Sequence, residues 1–238
     1  MSWFQLGPEQ VLRRIEADGS APVVPTLMSS VLRGVLGFTA VSLLGFAPWV
    51  IFGSYIHQHL GEAGLYAVCA LVFIASAGPL LHRLIIGPGT LLRFAKLFAL
   101  SFAAYSVAWT VGWMLWKGHP GSVAGLLVGT AVMGWMMVCA FDARSKTISV
   151  ILALFLLNAA GYFAGGMVDA WGADLEGIPI SGSTQRAVAR FGWALSYGIG
   201  FGAGLGVAFY QCQAGIREAL ARGNWDDVSN AGLSPSND

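Results

Sequence analysis

Charged positions cluster along this chain and leave six long apolar stretches between them. Gly34–Gly61, Ala63–His82, Leu97–Trp116, Gly118–Phe141, Thr147–Val168 and Phe191–Ile216 contain no Asp, Glu, Lys or Arg, and the shortest has 20 residues. A helix needs about 20 mostly apolar residues to cross a hydrocarbon core of roughly 30 Å. Tyr197–Gly206 (YGIGFGAGLG) alternates with period two. Barrel strands, however, run only about 9–11 residues and keep one polar face, whereas here both faces are apolar or glycine. Because lipid admits only helices and closed barrels, the expected fold is all-α: a polytopic integral membrane protein built as a six-transmembrane-helix bundle. The spans are expected near 28–52, 64–84, 91–116, 121–141, 147–168 and 187–213.

This divides the chain into three parts. Residues 1–26 form a cytoplasmic N-terminal segment, 27–216 the six-helix domain, and 217–238 a cytoplasmic C-terminal tail. Within the first, Pro8 to Asp18 reads as an amphipathic helix. Proline suits its first turn, Val11, Leu12 and Ile15 share a face, and Arg13, Arg14 and Glu16 face away. With Trp3 and Phe4 ahead of it, such a helix can lie at a membrane interface. No signal-peptide pattern precedes it. The tail beyond Arg222 is polar and is expected to be unfolded.

Composition agrees with lipid as the solvent. Apolar residues make up 56% of the chain and charged residues 11%, against about 25% charge in soluble domains. The formal net charge of +1 gives no field to attract nucleic acid, which is excluded as a partner. Charge asymmetry sets the orientation. With six spans, Arg13, Arg14, Arg33, Arg83, Arg93, Lys96, Arg144, Lys146, Arg217 and Arg222 fall on one side. Only Lys117, Arg186 and Arg190 fall on the other. Both termini are therefore expected in the cytoplasm, in a bacterial inner membrane. On this reading His57, His59 and Glu62 lie in the first outer loop, His119 in the second, and Asp169 to Arg186 form the third.

Glycine numbers 32 of 238 residues. Gly198, Gly202 and Gly206 make one stripe on span six, and Gly192, Gly200 and Gly204 make a second on another face. Gly121, Gly125 and Gly129 mark span four, and Gly161 and Gly165 mark span five. Lipid gives no hydrophobic drive for helix association, so small residues mark close contacts. Span six should be pressed on two sides, within the bundle or against another chain. A homo-oligomer or a partner membrane subunit is expected accordingly. Spans one to three also resemble spans four to six: Gly34-Val-Leu-Gly-Phe-Thr39 beside Gly125-Leu-Leu-Val-Gly-Thr130, and Arg93-Phe-Ala beside Arg190-Phe-Gly. A three-span unit repeated once must insert upside down, which is the 3+3 inverted repeat of many transporters.

Chemistry is sparse. No charge lies at mid-membrane depth, which argues against a proton-driven pump and against a dedicated site for a charged substrate. Asn158, with Tyr162 one turn on, is the most polar point inside a span, and a buried amide needs partners. His57, His59 and His119, with outer acids including Asp174 and Glu176, are candidate metal ligands of low specificity. Pro48 and Pro79 are candidate kinks. No nucleophile elbow, zinc-protease, P-loop or dinucleotide motif is present. No enzyme activity, no catalytic residue and no cofactor is expected. The leading expectation is a small channel or carrier for a neutral or weakly polar solute, with Asn158, Tyr162, Gly198, Gly202 and Gly206 along the route. The alternative is a structural or accessory subunit of a larger membrane complex, holding lipid or pigment.

Overall fold

The computed structural model describes residues 4–19, 22–173 and 182–222. The outer acids Asp174 and Glu176, Trp3 and the polar tail beyond Arg222 lie outside them. Seven α-helices follow in order: α1 (Pro8–Asp18), α2 (Leu27–Leu81), α3 (Thr90–Trp116), α4 (Gly118–Ala140), α5 (Thr147–Ala173), α6 (Gly182–Cys212) and α7 (Ala214–Ala221). No strand occurs among the described residues. The helices α2 to α6 are each long and apolar enough to cross a membrane, which makes five.

The helix α2 is folded back on itself. Its backbone leaves helical geometry at Gly61 alone, with φ 70° and ψ −176°. The rings of Phe38 and Phe73 nevertheless stack 5.8 Å apart, and Phe46 meets Phe73 at 5.0 Å. In a straight helix, residues 38 and 73 would be separated by roughly 50 Å. The chain therefore reverses at Gly61 into two antiparallel arms, 27–60 and 62–81. Thr26 starts the first arm by accepting the Ser29 amide at 3.2 Å. Glycine suits the reversal because it has no Cβ to clash at positive φ. Pro48 and Pro79 lie within the arms without leaving helical φ and ψ.

This corrects the position of the first expected outer loop. His57 and His59 are helical, because nothing between Pro48 and Leu60 breaks the first arm, and Gly61 is the turn. The remaining helices fall near their expected spans, but α5 continues to Ala173 and α6 begins at Gly182. Asp169 and Arg186 are thus helical rather than in a loop, and His119 sits in the first turn of α4.

The first and last described helices meet at one end of the bundle, where α1 packs on α7. The apolar face of α1 is spent on the protein: Val11 and Ile15 are fully buried beside Gly87. The Gln213 side chain ties the same end together. Its Nε2 donates to the Leu84 carbonyl at 2.8 Å, and its Oε1 accepts the Ile86 amide at 2.7 Å. The opposite end carries Gly61, Lys117 and the start of α6.

Two kinds of contact build the interior. Glycines set backbone against backbone between neighbours. Gly206 lies on Ser30 and Val31 of the first arm, where an added Cβ would stand 2.5 Å from the Ser30 carbonyl oxygen. Gly200 lies on Gly161 and Leu157 of α5, and Gly125 on Trp109 and Gly112 of α3. Aromatic rings fill the centre. Along α3, Phe94, Phe98 and Phe102 stack at 5.6 and 5.0 Å, both pairs inclined by 13°. Tyr105, Trp109 and Trp113 continue the row, the last two stacked at 6.0 Å.

These contacts predict opposite outcomes for two glycines. Gly206→Ala should lower the stability of the detergent-solubilised protein by about 1–3 kcal/mol, the usual cost of overpacking. Gly166 has nothing within 4 Å of a built Cβ, so Gly166→Ala should leave stability unchanged or slightly raised. Thermal unfolding followed by near-UV circular dichroism checks both.

Candidate functional site: an aromatic chamber

The aromatic row along α3 loses its cover toward the Gly61 end. Phe94 and Phe98 are buried at 0% and 1%, and Tyr105 still at 4%, whereas Trp109 and Trp113 are half-exposed. A cavity of about 470 Å³ opens there. Its walls come from both arms of α2, from α3, α5 and α6: Phe46, Trp49, Tyr66, Cys69, Phe73, Tyr105, Trp109, Trp113, Tyr162, Asp169, Trp193 and Tyr197 among them. Ring packing holds these walls in place. Trp193 stacks on Tyr197 at 5.2 Å and takes the edge of Phe46 at 4.7 Å and of Tyr162 at 5.4 Å.

The floor is polar and hydrogen-bonded. Tyr105 Oη and Tyr197 Oη are 3.2 Å apart, and Asn158 Nδ2 donates to Tyr105 Oη at 3.0 Å. Asn158 is fully buried behind this pair, so it orients the floor and does not line the chamber. The two tyrosines own two hydroxyl protons, and their mutual bond uses one. The other is free to donate. Trp109 Nε1 is likewise buried without an acceptor, and so lacking a partner is Asn158 Oδ1. Buried polar atoms left unpaired cost about 1–3 kcal/mol each, and Trp109 Nε1 is the unpaired donor among the lining side chains.

The mouth is latched by Glu62. Its carboxylate accepts from Tyr66 Oη at 2.8 Å, Trp113 Nε1 at 3.2 Å and Lys117 Nζ at 3.2 Å. Lys117 is the whole turn between α3 and α4 and takes φ 48°. Across the mouth, Arg190 donates to the Trp49 carbonyl at 3.3 Å and lies 4.7 Å over the Trp49 ring. Hydrogen bonds from Tyr66 and Trp113, assisted by the Lys117 charge, hold the Glu62 carboxyl below its ordinary value of 4.5.

The residues singled out in the sequence are distributed unevenly. Tyr162 lines the chamber and pairs with Ser122 Oγ at 3.0 Å. Gly198, Gly202 and Gly206 do not line it, because Thr39, Gly34 and Ser30 of the first arm occupy their faces. His57, His59 and His119 do not converge: among the described residues no three His, Cys, Asp or Glu side chains gather to hold a metal. His59 Nδ1 bonds the Tyr55 carbonyl oxygen at 2.8 Å, and His119 packs on Phe163. The chamber walls carried a signal that sequence reasoning passed over. Phe94, Phe98, Phe102, Tyr105, Trp109 and Trp113 recur at spacings of three and four, so they fall on one helical face. Comparison with family models, curated proteins and solved structures gives no match to this chain.

The Glu62 latch has a defined pH dependence. A carboxylate with a lowered folded-state pKa contributes stability above its unfolded value, and loses it as pH falls through the folded value. Wild type should therefore unfold at a higher temperature than Glu62→Gln at pH 7, by no more than about 1 kcal/mol for so exposed a group. The gap should close as the pH drops below 4.5. Paired thermal melts across that range measure it.

Proposed function

We propose that this chain crosses the membrane six times, with both termini cytoplasmic, and works as a carrier for a small, weakly polar solute. The solute enters the aromatic chamber from the side opposite the termini. Support for six crossings comes from the two arms of α2, which join α3, α4, α5 and α6 in running between the same two ends. Packing also supports the inverted 3+3 repeat. Offsets of 91 and 97 residues carry the Gly34–Gly206 contact onto Gly125–Trp109, and both are close backbone approaches.

The observation that carries the functional reading is the chamber itself. Its 470 Å³ lies within the roughly 300–1,000 Å³ of small-molecule sites, which are mostly apolar with a few placed polar groups. The lining offers donors in Trp109 Nε1 and one tyrosine hydroxyl, which suits a solute with an apolar body and a hydrogen-bond acceptor. Stacked Phe102, Phe98 and Phe94 continue from the floor toward the termini with no gap. A packed column of this kind fits a carrier that must rearrange to release its solute, and does not fit an open channel. Transport then requires the helices that line the chamber to move relative to one another.

Phenyl glucoside has the required neutral apolar body and acceptors, and it crosses lipid slowly. Proteoliposomes should exchange the labelled compound faster than protein-free vesicles, with saturation. Trp193→Leu, which strips the chamber wall, should reduce exchange at least tenfold, and Gly166→Ala should not. Binding without exchange would favour the accessory-subunit reading. The absence of both would contradict the chamber as a solute site.

A further inference from the structure

Asp169 is the one chamber-wall residue whose charge has no answer. It stands on α5 among the aromatic lining, half-buried, and makes no ion pair among the described residues. The count of candidate partners is closed. All 13 Lys and Arg side chains fall within the described residues. The two at the mouth are engaged elsewhere: Lys117 with Glu62, and Arg190 with the Trp49 ring and carbonyl. The neighbouring stretch 174–181 adds Asp174 and Glu176 and no cation.

The surroundings of Asp169 attract positive charge in their own right. Aromatic faces carry negative electrostatic potential, and Trp attracts cations most strongly. The chamber displays Trp49, Trp109, Trp113 and Trp193 with Tyr66 and Tyr162. At its rim the protein's own cations already use two of these rings, Arg190 at 4.7 Å from Trp49 and Lys117 at 5.6 Å from Trp113. A carboxylate partly withdrawn from water in such a box lacks only a counter-ion. A solute that brings one recovers a charge interaction in a medium of lower dielectric than water.

Resting on the carrier reading above, we infer that the chamber selects organic ammonium compounds: solutes with an apolar body and one quaternary or protonated amine. The ammonium lies between Asp169 and the tryptophan faces, and the apolar body fills the space toward Tyr105 and Tyr197. This replaces the neutral or weakly polar class expected from the sequence with a cationic one that keeps the apolar body. The reason is that Asp169, expected in a loop, is carried into the wall by the continuation of α5.

Benzyltrimethylammonium is the probe, with phenyl glucoside as its neutral counterpart, both titrated by isothermal calorimetry against the full chain in detergent. Wild type should bind the ammonium more tightly. Asp169→Asn should weaken ammonium binding tenfold or more and leave phenyl glucoside within twofold, and Asp169→Glu should restore most of the loss. Trp193→Leu should weaken both. Ammonium affinity unchanged in Asp169→Asn would overturn the inference. Glucoside binding without ammonium binding would also overturn it and leave the carrier reading standing. If neither probe binds wild type, the chamber reading fails with it.

Discussion

Backbone-to-backbone contact at glycine is the constraint on which this structure rests. In lipid, apolar side chains gain nothing from leaving their surroundings, so helices associate through close packing and polar contacts. The helix α6 shows the consequence. One glycine row meets the first arm of α2 at Gly34, and the other meets α5 at Gly161. With three helices bound this tightly and α3 joined to α4 through Gly112 and Gly125, the bundle is two locked groups. The second arm of α2 packs on the first, where Gly37 meets Leu80 and Leu81 and Gly45 meets Phe73.

Rings occupy the space that these groups leave. From Phe94 to Tyr105 the row is covered, and at the end where α1 packs on α7 it finishes with Phe94 against Phe209 of α6. Beyond Tyr105 the same row widens into the chamber, because no helix closes over Trp109 and Trp113. A single pattern, aromatic residues at helical spacing on α3, thus produces a dry column at one end and a solute-sized space at the other. The Asn158–Tyr105–Tyr197 chain marks the boundary between the two.

Much of this was legible in the sequence. Stretches without charge foretold the helices, and the glycine stripes foretold which faces of α6 would be pressed. Asn158 stood out as the polar point at depth, and it anchors the chamber floor. Other features were not legible for physical reasons. The reversal at Gly61 depends on a positive φ, which one glycine among 32 does not announce. The aromatic row was hidden because Phe, Tyr and Trp count as apolar in any hydropathy window. The glycines at 198, 202 and 206 have no space to line, since a stripe that permits close approach is consumed by it. Asp169 was placed in a loop because charge usually ends a span, yet Gly165-Gly166-Met-Val-Asp contains nothing that stops a helix already supported by α6.

Cys69 offers the most direct test, because it is the cysteine in the chamber wall, 6% exposed there, whereas Cys139 and Cys212 are buried away from that wall. With Cys139→Ala and Cys212→Ala in place, Cys69 is the only thiol available to trimethylammonium-ethyl methanethiosulfonate, which does not cross membranes. This reagent should label Cys69 in intact cells, from the side opposite α1 and α7, faster than it does from the cytoplasmic face of inverted vesicles. Faster labelling from the cytoplasmic face, or no labelling from either side, would contradict a chamber whose resting mouth is on the side opposite α1 and α7.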